Sequence, residues 1–155
     1  RYFEELAGGR LLPQHVGTFL EMGANDGLFA SNTFYFEQCL GWSGLLVEAM
    51  PHNFNLLTAN RPCTTKVQSA ACDEIDGELS FQYRGSANGS SMMTDFSHKE
   101  HLPTVKVKCN PMSTIFQNFG ITRIDFWSLD VERAEFFVLH TVDWSAVSVG
   151  VLMLE

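Results

Sequence analysis

Thr18-Phe19-Leu20-Glu21-Met22-Gly23-Ala24-Asn25-Asp26-Gly27 reads as a strand running into a glycine turn, and that reading decides the fold. The apolar run Thr18-Phe19-Leu20 suits a strand buried on both faces, as in a parallel sheet. Gly23 and Gly27 then precede a new apolar segment, so the turn should lead into a helix. Glycine permits positive φ and lets a ligand approach the backbone closely, while the first N–H groups of a helix are free donors. A nucleotide-like cofactor is the functional expectation. The alternative is a turn whose glycines serve packing alone.

Outward from this turn, helices and strands alternate. Ser31 is a suitable N-cap for a helix over Ser31–Leu40 that stops at Gly41. Gly44–Ala49, GLLVEA, is a second buried strand; Pro51 opens a helix to about Asn60, which Arg61-Pro62 closes. Lys66–Cys72 is a third strand. Alternation at this short spacing implies parallel strands joined by right-handed crossovers, hence an α/β fold with a mostly parallel, doubly wound sheet.

Further on, Gly77–Arg84 and Thr104–Cys109 alternate as strands with one exposed face. Between them, Gly85–His101 is polar, rich in glycine and serine, and too long for an ordinary connection. It is assigned, with its flank to residue 103, to a functional or mobile loop over the site. Ser113–Phe119 follows as a helix with Ser113 as cap, then a strand over Ile124–Leu129, a helix over Ala134–Val142 and a last strand over Ser148–Leu154. Residues 1–16 form a lead-in, and without repeats or linkers the chain reads as one domain over 1–155.

Composition narrows the function. A chain of 155 residues, 45% hydrophobic, is long enough for a real core. With only 10 Lys and Arg and a net charge of -8, nucleic acid is a poor partner, whereas a small acidic cofactor is not excluded. No apolar run approaches the roughly 20 residues of a membrane span, and nothing at the start resembles a signal peptide. The beginning at Arg1 and the ending just after the apolar run Val147–Leu154 read as cuts from a longer chain, so the compartment stays open, with a lean to the cytoplasm. Cys39, Cys63, Cys72 and Cys109 lack CxxC spacing, which disfavours zinc and thioredoxin-like sites; buried free thiols are expected, with disulfides left open.

Three features fall where a doubly wound sheet holds its ligand, at the carboxyl ends of strands near the reversal of strand order. The first is the turn Gly23, Ala24, Asn25, Asp26 and Gly27. The second is Glu48, about twenty residues on, where a carboxylate can accept both hydroxyls of a ribose; a solvated strand end is its alternative. The third is Asp130-Val131-Glu132 with Glu135. Asp130 is the candidate to face the reacting end of a cofactor, and Glu135 reads as a capping or dipole residue. The carboxylates have no fixed metal-ligand spacing, so no metal is assigned.

FLEMGANDG, the block Leu40-Gly41-Trp42-Ser43-Gly44-Leu45-Leu46-Val47-Glu48, Asn60-Arg61-Pro62, Ile124-Asp125 leading to LDVERAE, and the closing Met153-Leu154-Glu155 together resemble the FkbM family of S-adenosylmethionine-dependent methyltransferases. The resemblance runs from about Thr18 to the end. It implies a Rossmann-like class I methyltransferase core, here stopping short of that core's C-terminal edge strands. It also implies roles: Glu21, Gly23, Asn25 and Gly27 around the methionine part of the cofactor, Glu48 on the ribose, Ala70-Ala71-Cys72 near the adenine, and Asp130 beside the methyl-transfer centre. The acceptor implied is an oxygen of a sugar, glycan or small metabolite.

Arg133 departs from the pattern DVEGAE by replacing its glycine, which strains a positive-φ position, obstructs the pocket, or adds a cation beside an anionic substrate. A non-catalytic interaction domain is therefore one rival. A nicotinamide-dependent oxidoreductase is another, weakened because GANDG lacks the third glycine of GxGxxG. His98 and His101 read as surface polarity rather than ligands, and Ser90, Ser91, Met92 and Met93 are placed by loop position on the acceptor side.

Overall fold

The computed structural model describes residues 16–82, 92–93 and 104–155. In chain order these form β1 (Thr18–Met22), α1 (Phe34–Leu40), β2 (Ser43–Glu48), α2 (Pro51–Asn60), β3 (Thr65–Gln68), β4 (Ala70–Ala71), β5 (Gly77–Gln82), β6 (Met92–Met93), β7 (Thr104–Asn110), α3 (Met112–Phe119), β8 (Arg123–Leu129), α4 (Glu135–His140) and β9 (Ser148–Leu154). The expected α/β fold is present. A five-stranded sheet has the order β3-β2-β1-β8-β9 with every neighbouring pair parallel, as in a Rossmann-like methyltransferase core.

β1 is the hinge of this order: the chain winds outward from it through β2 and β3, then returns to its other side with β8. Strand alternation sends Leu20 and Met22 to one face and Phe19 to the other. On the first face Leu20, Leu45, Val47, Trp127 and Leu129 pack with Met112, Ile115 and Phe116 of α3 and Val138 of α4. On the second, Phe19 and Leu46 pack with Leu57 of α2, Phe36 of α1 and Trp42. Helices thus cover both faces, which explains why the central strands carry continuous apolar runs. Leu20 is completely buried, and truncating such a leucine to alanine costs about 2–5 kcal/mol.

A second, four-stranded sheet has the order β4-β7-β5-β6. The strand expected over Lys66–Cys72 is therefore divided at Ser69: its first part pairs with β2 in the main sheet, its second part with β7. The Ser69 N–H still reaches the Glu48 carbonyl at 3.1 Å, so the break is a change of partner rather than a loop. β5 and β7 pair antiparallel from Gly77↔Cys109 to Gln82↔Thr104, and Met92–Met93 adds a short outer strand.

The expectation of buried free thiols is overturned. Cys72 and Cys109 form a disulfide where the end of β4 lies beside β7, and Cys39 and Cys63 are free but exposed. Helix starts shift as well. α1 begins at Phe34, yet the Ser31 hydroxyl still accepts the Phe34 N–H at 3.2 Å, the contact expected of a cap. Ser113 does not cap α3: the Met112 N–H goes to the Thr141 hydroxyl at 3.0 Å and the Ser113 N–H to the Thr141 carbonyl at 3.1 Å, so the end of α4 supplies the cap. Among the described residues no helix is long and apolar enough to cross a membrane.

Candidate functional site

A solvent-open cleft of about 810 Å³ lies at the carboxyl ends of β1, β2 and β8, bordered on its far side by β4 and β5. Its position outside the carboxyl ends of parallel strands, beside the reversal of strand order, is where such sheets hold their ligands. It brings together Gly23, Asn25, Glu48, Ala71 and Asp130 from the residues expected in the site. Glu21, Ala24, Asp26, Gly27 and Cys72 do not line it.

The turn after β1 is held tightly. Gly23 and Ala24 both donate their N–H to the Val47 carbonyl, at 3.0 and 3.1 Å, and the Asn25 N–H donates to Glu48 Oε2 at 2.9 Å. Gly23 (φ +85) and Asn25 (φ 50) lie in the left-handed region, which glycine enters freely and asparagine tolerates better than most residues. No helix follows Gly27 directly. Instead the Asp26 carboxylate accepts the N–H groups of Leu28 and Phe29 at 2.9 and 2.8 Å, making a local turn that delays the helix.

Glu48 is buried at the end of β2 and faces the cleft. Its Oε1 accepts the Met50 N–H at 2.8 Å, opposite the Asn25 bond on Oε2. Burial pushes its carboxyl up to about 7, against the pull of the Met50, Asn25 and Ala49 amides and the Asn53 side chain. Asn53, buried in the first turn of α2 and lining the same cleft, escaped sequence reading; its only signal was a polar residue two positions past Pro51.

On the opposite wall, Asp130 directly follows β8 and donates its N–H to the Met22 carbonyl at 3.1 Å. Beyond it the backbone takes positive φ twice, at Glu132 (φ 56) and Arg133 (φ 79). Glu135 Oε1 stabilises this turn by accepting the N–H groups of Val131 and Arg133, each at 3.1 Å, so it caps a loop rather than the helix it begins. Glu132 and Ala134 line the cleft, whereas the Arg133 side chain is exposed and does not.

The far side is apolar and comes from residues distant in sequence: Ala70 and Ala71 of β4, Phe81 of β5 and Phe137 of α4. Cys72, expected beside them, is committed to its disulfide with Cys109. Alternation within β1 sends Glu21 to the face of Phe19. There, buried, it accepts the hydroxyls of Ser31 (2.8 Å) and Thr33 (2.6 Å) and the Asn32 N–H (2.8 Å), anchoring the loop before α1. Burial raises its pKa, opposed by those bonds and by Arg61. Gly27 is forced by packing, since a Cβ there would come within 2.5 Å of Leu57 Cδ1. Met92 and Met93 belong to β6, while Ser90, Ser91, His98 and His101 lie outside the described residues.

No curated protein and no solved structure matches the chain. The family model for the methyltransferase FkbM domain matches residues 21–155, which takes in the end of β1 and the turn after it, Glu48, Asp130 and all the later strands that border the cleft. With that match laid over an all-parallel sheet whose central strand opens on the cleft, the chain belongs to the FkbM methyltransferase family.

Proposed function

We propose that this methyltransferase takes S-adenosylmethionine as its methyl donor and an oxygen of a sugar, glycan or small metabolite as its acceptor. The observation that carries the reading is the buried carboxylate of Glu48 at the end of β2, facing the cleft beside Gly23 and Asn25. A carboxylate this poorly solvated, with its pKa raised to about 7, gains from hydroxyl donors, and the adjacent hydroxyls of a ribose are such a pair.

The remaining lining suits the other parts of the molecule. Ala70, Ala71, Phe81 and Phe137 offer an apolar slot for an adenine ring. Gly23 and Asn25 border the end where the methionine part belongs, and Glu21, Ala24, Asp26 and Gly27 shape that turn from behind. When bound, the cofactor supplies an electrophilic methyl group on a sulfonium. The protein's part is to hold an acceptor oxygen in line with it, and near-attack placement alone accounts for much of such a rate enhancement. Asp130, on the wall of β8, takes the acceptor's proton as general base. The Arg133 side chain does not line the cleft, so the obstruction that would have supported the non-catalytic reading is not found there.

Calorimetry with S-adenosylmethionine, S-adenosylhomocysteine and NAD tests this reading. Micromolar binding of the first two, lost in Glu48→Ala, is the expected result. Binding of NAD alone overturns it in favour of an oxidoreductase.

A further inference from the structure

Asn60 and Arg61 do not line the cleft, yet their side chains grip the turn that does. Asn60 Nδ2 donates to the Asp26 carbonyl at 2.9 Å, and Arg61 Nη1 donates to the next carbonyl, Gly27, at 3.0 Å. The other end of α2 supports Glu48 through the Met50 N–H, and Glu48 in turn holds the Asn25 N–H. One helix therefore fixes both limbs of the turn. Gly23, Asn25 and Gly27 all lie at positive φ, and glycine leaves the backbone many other conformations, so contacts from outside are what select this one; within the turn, the Gly27 N–H reaches the Ala24 carbonyl at 2.8 Å.

Arg61 is built into its place. Its side chain is fully buried, paired with Glu37, within 3.2 Å of the Ser31 hydroxyl, and set over the rings of Phe19 and Phe34 at 5.8 and 5.4 Å. A guanidinium presents five donors in a rigid fork, which lets one side chain serve the Gly27 carbonyl and the α1 acceptors together. We propose that Asn60 and Arg61 are positioning residues for cofactor binding, holding the outer limb of the Gly23–Gly27 turn from the C-terminal end of α2. The proposal rests on the methyltransferase reading above.

The test uses the whole chain and two readouts: calorimetric affinity for S-adenosylhomocysteine, and amide hydrogen exchange at Gly27 and Leu28, which needs no ligand. Asn60 is exposed, so Asn60→Ala removes one bond without opening the core; affinity should fall about threefold with an unchanged unfolding midpoint, and the two amides should exchange faster. Asn60→Asp, which sets a carboxylate against the Asp26 carbonyl, should fall further, and Asn60→Gln should recover part of the loss. Arg61→Lys keeps the charge but not the fork and should weaken binding about tenfold. Wild-type affinity and exchange in both Asn60→Ala and Asn60→Asp overturn the proposal. If the unaltered chain binds no S-adenosylhomocysteine, the methyltransferase reading fails by itself, and exchange at Gly27 and Leu28 still decides the positioning role: unchanged rates overturn it.

Discussion

A methyl group on Gly23 would stand 1.8 Å from the carbonyl oxygen of Asp130. The two walls of the cleft meet at this point, with the Asp130 N–H bonded to the Met22 carbonyl at 3.1 Å immediately behind it. Backbone, not a flexible side chain, opposes the added atom, and the φ of +85 is itself unfavourable for alanine. Gly23→Ala must therefore part β1 from β8, with an expected destabilisation of about 3 kcal/mol or more and loss of cofactor binding. Gly41→Ala is the control: its φ is +66 but nothing lies within 4 Å of the added Cβ, so about 1 kcal/mol is expected. Urea midpoints of the two variants measure the difference, and equal losses would contradict the steric argument.

Glu48 makes both stability and binding depend on pH. Its folded pKa of about 7 lies above the ordinary value of 4.5, so the folded state binds its proton more tightly than the unfolded chain does. Its contribution to stability is greatest below the unfolded value and is lost as pH rises from there to about 7. Cofactor binding runs the other way, because hydroxyl donors favour the ionised carboxylate. Affinity for S-adenosylmethionine should rise up to about tenfold between pH 6 and pH 8, with proton release on binding. Calorimetry in buffers of different ionisation enthalpy detects that proton, and Glu48→Gln should abolish both the release and the pH dependence.

Arg133 occupies the position where the resembled pattern carries glycine, and its φ of 79 gives the physical reason for a glycine there. A non-glycine residue in this region is strained, whereas its exposed side chain takes no space from the cleft. Arg133→Gly should raise stability by about 1 kcal/mol while leaving affinity for S-adenosylmethionine within about twofold of wild type, since no lining group changes. The Arg133 N–H bond to Glu135 is a backbone bond and survives the substitution. A tenfold gain in affinity would mean instead that the arginine reaches into the cleft.

What the sequence disclosed, and what it hid, follows from the range of the interactions. The parallel sheet was readable because GLLVEA and IDFWSL are apolar runs that stop at the start of turns, and Glu48 and Asp130 were readable because they stand where those runs stop. Glu21 was assigned to the cleft although alternation along β1 already placed it with Phe19 on the other face. Arg61 looked like a helix terminator beside Pro62, because its burial is created by Gly27, Ser31 and Glu37, all far upstream. Phe81 and the pairing of Cys72 with Cys109 depend on the division of one expected strand at Ser69, which no local pattern announces.

That division gives the disulfide its consequence. Cys72 follows directly on Ala71, which lines the cleft, and the bond crosses from β4 to β7, where only Ala70 and Ala71 pair with Cys109 and Asn110. So short a strand has little else to fix its register. The cross-link spans a sequence separation of 37, for which the loop-closure relation gives about 4 kcal/mol of stabilisation through the unfolded chain. Reduction, or the double substitution Cys72→Ala and Cys109→Ala, should lower stability by an amount of that order and loosen the Ala70-Ala71 wall of the apolar slot. Adenosine-containing ligands should then lose more affinity than methionine alone, since the proposed adenine slot is on that wall. Thiol titration of the native protein checks the premise: Cys39 and Cys63 should react at once, and Cys72 and Cys109 only after reduction. Binding of S-adenosylhomocysteine that is the same before and after reduction would uncouple the bond from the cleft and leave it a purely stabilising link.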